Sequence, residues 1–182
     1  MIEACREGDV TKVKELLSQG ADPTFAVNFP IRVACDYGYG DIVELLLQDG
    51  RVDPTADDNY ALKWASHNGH TKVVEALLKD GRADPSATDN WAIGFASGNG
   101  HLDIVKMLLQ DRRVDPTDDD NFALHWACEN GYIKVVEVLL EDGRVEPNDS
   151  MIEEMEALKE MLIKYKYRID GKEYRKVKSA LG

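Results

Sequence analysis

Residues 57–87 read DDNYALKWASHNGHTKVVEALLKDGRADPSA, and residues 119–149 repeat the pattern as DDNFALHWACENGYIKVVEVLLEDGRVEPND. The 31-residue spacing runs through Pro23, Pro54, Pro85, Pro116 and Pro147 without a slip. It divides the chain into full units at 26–56, 57–87, 88–118 and 119–149, with an incomplete unit over 1–25 and a different segment over 150–182. Nine of the 31 positions keep one residue type in all four full units, which is beyond coincidence and makes the repeat the object that folds.

Within a unit the apolar residues keep helical spacing. Leu62, Ala65 and Ser66 form one stripe, and Val73, Val74, Leu77 and Leu78 a second. Two short helices per unit follow. Asn59 is expected to open the first by accepting orphan amide hydrogens of its first turn, and Asn68-Gly69 to end it. The second is expected from about Thr71 to Lys79, stopping at Asp80-Gly81 before Asp84-Pro85 turns the chain back in extended form. Helices of this length are marginal alone and one pair cannot cover its own apolar stripe, so stacking of neighbouring units has to supply the core. The expected fold is all-α, with little or no strand.

The composition agrees with a soluble globular chain. Of 182 residues, 43% are hydrophobic and 31% charged, while Gly and Pro number 14 and 6, which argues against collagen, disorder or a membrane protein. No apolar run reaches the 18 or so residues of a spanning helix, and Met1-Ile2-Glu3-Ala4-Cys5-Arg6 lacks the basic-then-apolar order of a secretory signal. Three cysteines at irregular spacing favour a reducing compartment over a disulfide framework. The net charge of −12 is uneven: residues 1–163 carry 32 acids and 15 bases, residues 164–182 carry 7 bases and 2 acids. An acidic body repels phosphate backbones, so nucleic acid is not an expected partner except through 164–182.

Residues that suggest chemistry have plainer readings. His67 and His70 are three apart and His101 repeats His70, yet no further ligand has a suitable spacing, so no metal or other cofactor is expected. Cys5, Cys35 and Cys128 share one repeat position with Ser66 and Ser97, a place that asks for a small side chain, and no base is spaced to activate a nucleophile there. Asp57-Asp58 and Asp118-Asp119-Asp120 lack the Gly and distal Glu of a calcium loop and read as solvated turns. The recurring Asp49, Arg51 and Asp53 set is expected to form a surface ladder in which each arginine bridges acids of adjacent units, with capture of an anionic partner as the alternative. No residues stand out for catalysis, and the chain is not expected to be an enzyme.

The strings LLLQDGRVDP (45–54), ASHNGHTKVVEALLKDGRADP (65–85) and ACENGYIKVVEVLLEDGRVEP (127–147) resemble the ankyrin repeat, with its Ala-x-x-x-Gly-His, Val-Val helix and Leu-Leu-x-x-Gly-Ala-Asp ending. The resemblance covers 1–149 and implies a solenoid of stacked helix-turn-helix units. Two departures matter. The Thr-Pro-Leu-His element is degraded to Phe29-Pro30-Ile31-Arg32, Tyr60-Ala61-Leu62-Lys63, Trp91-Ala92-Ile93-Gly94 and Phe122-Ala123-Leu124-His125, so the family's Thr to His hydrogen bond does not transfer. The unit also gains Arg82 after Gly81 and loses residues between Pro85 and Trp91, so shortened fingers are expected.

By the same resemblance 1–25 is an N-terminal capping repeat. Residues 26–56, 57–87, 88–118 and 119–149 are repeats two to five, and 150–182 is a helical C-terminal cap and basic tail. That cap would be opened by Ser150-Met151-Ile152-Glu153 and would bury Ile152, Met155, Leu158, Leu162 and Tyr165. Trp64, Phe95 and Trp126, with Val33 at the same position, are internal by family analogy. The row Phe29, Tyr60, Trp91 and Phe122 either roofs the shortened loops or lines the concave face.

Ankyrin arrays imply a protein-interaction module, adaptor or scaffold, that uses loop tips and the concave face. The residues expected to bind a partner vary between units at those places: Asp36, Tyr37, His67, Asn68, Gly98, Asn99, Glu129 and Asn130, with Asp57, Asp58, Tyr60, Thr88, Asp89, Trp91, Asp119 and Asp120. Their balance calls for a protein partner with a basic or polar face, bound by a monomer. Alternatives are a basic segment, 164–182, that contacts nucleic acid or an anionic surface with the array as spacer, or a substrate-recruiting subunit of a ubiquitin ligase. The style of unit is similar to arrays of amoebae and giant viruses, which implies an intracellular setting, cytoplasmic or nuclear, in a host cell if viral.

Overall fold

The computed structural model describes residues 1–145. The cap and basic tail expected over 150–182 lie outside the described residues. Ten helices follow in order: α1 (Ile2–Glu7), α2 (Val10–Ser18), α3 (Phe25–Asp36), α4 (Gly40–Asp49), α5 (Ala56–His67), α6 (Thr71–Asp80), α7 (Ala87–Gly98), α8 (Leu102–Gln110), α9 (Asp118–Glu129) and α10 (Ile133–Glu141). The described residues contain no strand. Odd-numbered helices pack side by side in one layer, even-numbered helices in the other, and each pair is an antiparallel hairpin. The stacked-pair solenoid expected from the repeat is therefore present.

The core lies between the layers. Ile31, Leu62, Ile93 and Leu124 from the odd helices meet Leu46, Leu77, Leu108 and Leu139 from the even helices, and all are essentially fully buried. Burying a side chain of this size is worth about 1.5–3 kcal/mol relative to leaving it wet, so each interface rather than each helix holds the array together. The turns that set the spacing are Gly-dependent in one clear place. Gly69 has φ 77°, and a Cβ there would come within 2.5 Å of the His101 ring of the next unit. That ring needs its position because His101 Nε2 donates to the His67 carbonyl at 2.9 Å, as His70 Nε2 does to the Asp36 carbonyl at 3.0 Å. Both histidines are thus inter-unit ties.

Asn59 does not cap a right-handed helix. Asp57, Asp58 and Asn59 all lie in the left-handed region, with φ 59°, 53° and 57°, and the same turn recurs at 26–28, 88–90 and 119–121. A left-handed turn of non-glycine residues costs about 1–2 kcal/mol per residue, least for Asn and Asp, which is why these residue types dominate it. The Asn59 side chain leaves its own helix and its Oδ1 accepts the Asp84 amide at 2.7 Å. Asn28 accepts from Asp53 at 2.9 Å and Asn90 from Asp115 at 2.8 Å. These three turns are tied in this way to the next Asp-Pro corner, 25 residues on. At the corner the Asp carboxylate accepts from the following Thr or Ser, as Asp53 does from the Thr55 amide and hydroxyl at 2.9 and 2.7 Å. This compact turn stands where a projecting finger would be, so the fingers are short, as expected.

The arginine ladder also differs from the expected one. Arg82 grips Asp80 of its own unit through Nε and Nη2 at 2.8 and 2.9 Å, and donates to the Val52 and Leu47 carbonyls of the preceding unit at 2.7 and 3.3 Å. Arg51, Arg113 and Arg144 repeat the arrangement with Asp49, Asp111 and Asp142. The inserted arginine thus bridges an acid to backbone, not two acids. Its fork matches a carboxylate two residues back while its outer nitrogens reach carbonyls in the last turn of the preceding unit's second helix and in the loop after it. The hydrogen bond from Arg82 holds the Asp80 carboxyl below its ordinary pKa, and Arg113 does the same for Asp111.

Ser66 and Ser97 are fully buried and their hydroxyls have no hydrogen-bond partner among the described residues. The equivalent Cys35 is a buried thiol at the same repeat position. Removing an unsatisfied buried hydroxyl relieves a desolvation penalty, so Ser66→Ala and Ser97→Ala are each expected to stabilise by about 1 kcal/mol in urea unfolding. A loss of stability in both would show that the hydroxyls are satisfied.

Candidate interaction face

Helices α5, α7 and α9 bury positions such as 61, 62, 65 and 66 and turn the opposite side, 60, 63, 64 and 67, outward. Those outward positions are the i, i+3, i+4, i+7 stripe of a helix, yet here the stripe is aromatic. Trp64, Phe95 and Trp126 are consequently not internal, in contrast to the expectation from the family. Trp64 is 37% exposed, and Phe95 and Trp126 are half-buried at the same level of the face. The reason is local. Ala61, Leu62, Ala65 and Ser66 already fill the core side of the helix turn, which leaves the neighbouring ring only the outer side.

The rings touch from one unit to the next. Trp64 stacks on Phe95 with centroids 6.3 Å apart, and Phe95 meets Trp126 at 5.7 Å. The second row joins the first: Tyr60 lies 5.7 Å from Trp64, Trp91 5.2 Å from Phe95 and Phe122 4.2 Å from Trp126. His67 closes the gap edge-on, 5.2 Å from Trp64 and 5.0 Å from Phe95. Phe29, Tyr60 and Phe122 are half-buried and Trp91 is 40% exposed, so this row takes part in packing and in surface alike. Gly94 and Gly98 make room on α7, since a Cβ there would meet Phe122 at 2.7 Å and Trp126 at 2.5 Å.

Cations of the chain itself already lie on this face. The Arg32 guanidinium sits 4.3 Å from the centre of the Tyr60 ring and pairs with Asp57 at 2.7 Å. One unit on, Lys63 Nζ lies 5.7 Å from the Trp91 ring and donates to Thr88 Oγ1 at 3.3 Å. The left-handed turns therefore border the aromatic face, and their acidic residues Asp57, Asp58, Asp89, Asp119 and Asp120 are exposed.

The other sequence-derived residues gather at the far end of the odd helices. Asp36 is half-buried and accepts the Tyr60 hydroxyl at 3.2 Å. Burial raises its pKa, an effect that the Tyr60 hydrogen bond, Arg32 and His70 oppose. Burial, followed by the Asp36 charge, likewise raises that of Tyr60. Tyr37 is 54% exposed and stacks on Tyr39 with centroids 6.0 Å apart. Asn99 donates to the Phe95 carbonyl at 2.9 Å and lies 3.1 Å from His67 Nδ1, so both belong partly to the framework. Asn68, Glu129 and Asn130 are exposed, with Asn130 donating to the Trp126 carbonyl at 3.0 Å. Residues that the sequence reading did not assign to the face are Trp64, Phe95, Trp126, Arg32 and Lys63; the 60/63/64/67 spacing was the signal for them.

No group of three or more His, Cys, Asp or Glu side chains that would hold a metal occurs among the described residues. Burial pushes the Cys5 thiol up to about 11 and that of Cys35 well above its ordinary value, so both stay protonated at neutral pH and are poor nucleophiles. None of the helices among the described residues is long and apolar enough to cross a membrane. What the face offers is contact area: flat rings, a polar end and an acidic border.

No curated protein matches the sequence. Residues 1–89 and 89–150 match the family model described as ankyrin repeats (3 copies). With stacked helix pairs over the described residues and a family match over most of its length, the chain belongs to the ankyrin repeat family.

Proposed function

We propose that the chain is a non-catalytic adaptor or scaffold that holds a protein partner on the outward face of its odd-numbered helices and on its acidic turns. Ankyrin repeats are in general protein-interaction modules, and the observation that carries the reading here is the continuous run of rings from Tyr60 to Trp126. A solvent-facing row of this kind, rimmed by polar groups, is the composition of an interface hot spot rather than of an ordinary surface. The partner's matching surface is basic or polar, because the border is acidic.

The working units are the repeats at 26–56, 57–87, 88–118 and 119–149 between caps at 1–25 and 150–182. The chain acts as a monomer in a reducing, intracellular compartment, cytoplasmic or nuclear, a setting that suits its buried thiols. Asp36, Tyr37, His67, Asn68, Asn99, Glu129 and Asn130 extend the contact along the far end of the helices. The turn residues Asp57, Asp58, Thr88, Asp89, Asp119 and Asp120 extend it along the other border.

The test is capture of a partner by the intact chain, followed by its titration against the variant Tyr37→Ala, Trp64→Ala, Trp91→Ala. Loss of about 2 kcal/mol or more of binding is expected, with cooperative unfolding retained. Equal affinity for both proteins would move the site elsewhere.

A further inference from the structure

We infer that the basic segment 164–182 of the chain itself docks on the outward face of the odd-numbered helices and competes there with the partner. The inference rests on the reading of that face as a protein-binding surface and adds what holds the surface when no partner is bound.

No described element packs on the outer side of these helices, and Trp64 and Trp91 are 37% and 40% exposed there. Two left-handed turns reach the same face. Asp57 pairs at 2.7 Å with the Arg32 guanidinium that lies 4.3 Å from the centre of the Tyr60 ring. Thr88 Oγ1 accepts at 3.3 Å from the Lys63 Nζ that lies 5.7 Å from the Trp91 ring. Asp58 and Asp89 come next in these turns, and Asp119 and Asp120 hold the corresponding places in the turn before α9; all four are exposed. Among the described residues, Arg32 on Asp57 is the one ion pair that any acid of these turns makes, so the border keeps an excess of negative charge.

The chain itself carries a complement, and leaves the array on the right side. Residues 164–182 hold 7 bases against 2 acids, with Tyr165, Tyr167 and Tyr174 interleaved among Lys164, Lys166 and Arg175. Rings and cations in one segment match rings with an acidic border. The described chain reaches Val145, buried at the place that Val52, Ala83 and Val114 take in earlier units. There the residue that follows, Asp53, Asp84 or Asp115, has its amide held by Asn28, Asn59 or Asn90 of a left-handed turn. Val145 therefore ends on the turn side of the fifth unit. The connecting stretch 146–163 can span up to about 60 Å at ~3.3 Å per residue, whereas the turns before α5 and α9 are only two unit steps of about 10 Å apart. A tethered segment acts at an effective concentration of about a millimolar, so contacts too weak for a free peptide suffice.

The test uses the full chain with Tyr174→p-benzoylphenylalanine, illuminated at about 0.02 M salt, where charges are little screened. Cross-links within the monomer are expected on the outward side of α5, α7 or α9. Their yield should fall about fivefold or more at ~0.5 M salt, and equally in Asp58→Asn, Asp89→Asn, Asp120→Asn, whose side chains still tolerate the left-handed turn. A yield indifferent to both changes overturns the inference, and so do cross-links confined to the even-numbered helices or formed only between two copies. Against a captured partner, Lys164→Gln, Lys166→Gln, Arg168→Gln should raise the affinity about fivefold or more. Cross-links in place with no such rise would keep the segment on the face and move the partner's site elsewhere. A partner that needs Tyr37, Trp64 and Trp91, bound by a chain that gives no cross-link to the face, would leave the interaction face standing and overturn the docking.

Discussion

Leu77→Ala is expected to destabilise the protein by about 3 kcal/mol, within the 2–5 kcal/mol that such truncations cost in cores. Leu77 is 0% exposed, and it sits on α6, whose layer neighbours are α4 and α8. The cavity left by the truncation has little freedom to close, because the turn between α5 and α6 is tied to the units on both sides, by His70 to the Asp36 carbonyl and by His101 to the His67 carbonyl. The melting temperature should fall by about 6–12 °C for a chain of this size. In a stacked array the damage is also shared, since each unit contacts only its neighbours and a weak interface uncouples the two sides. Broadening of the transition, with a smaller apparent denaturant slope, is the expected accompaniment in urea unfolding. A shift below about 1 kcal/mol with the slope unchanged would mean that the inter-unit core is not where the stability resides.

Asn59→Ala is expected to cost about 2–3 kcal/mol, and Asn59→Gly to recover about 1 kcal/mol of that. The alanine variant suffers twice. It strands the half-buried Asp84 amide that Asn59 Oδ1 accepts at 2.7 Å, and it puts a Cβ-bearing residue without a polar side chain at φ 57°. Glycine restores the conformational freedom but not the hydrogen bond, so the gap between the two variants separates the contributions. The pair also discriminates between the two roles for this residue. At an ordinary N-cap, Asn→Gly costs only a few tenths of a kcal/mol, whereas here it should cost about 1–2 kcal/mol. Equilibrium unfolding of the three proteins side by side is sufficient, and a glycine variant as stable as wild type would return Asn59 to a cap.

Much of this was legible in the residues. The proline interval and the Leu62, Ala65, Val74 and Leu77 stripes are properties of period, and period alone dictates short paired helices that cannot be stable unstacked. The Gly69 and Gly81 stops are equally local, since φ near 80° at those positions admits little else. Family resemblance was less safe for side chains. It placed Trp64, Phe95 and Trp126 inside, whereas the smaller residues Ala61, Ala65 and Ser66 take the inner side and send the rings out. The arginine after Gly81 was visible as an insertion, but its partners were not, because two of them are carbonyls of the preceding unit, 30 and 35 residues away.

The sequence by itself therefore determined the number of modules, their helical class, the acidity of their turns and the fact that neighbours must cover one another, because all of these follow from spacing and charge along the chain. The handedness of the turns, the partner of each Asn and Arg, and the side of the helix that carries the rings were decided only in three dimensions. Val27 makes the point. A β-branched residue has no local reason to adopt φ 58°, yet Asn28 beside it reaches the Asp53 amide 25 residues on in the same unit, at a corner that Arg82 of the next unit holds through the Val52 carbonyl.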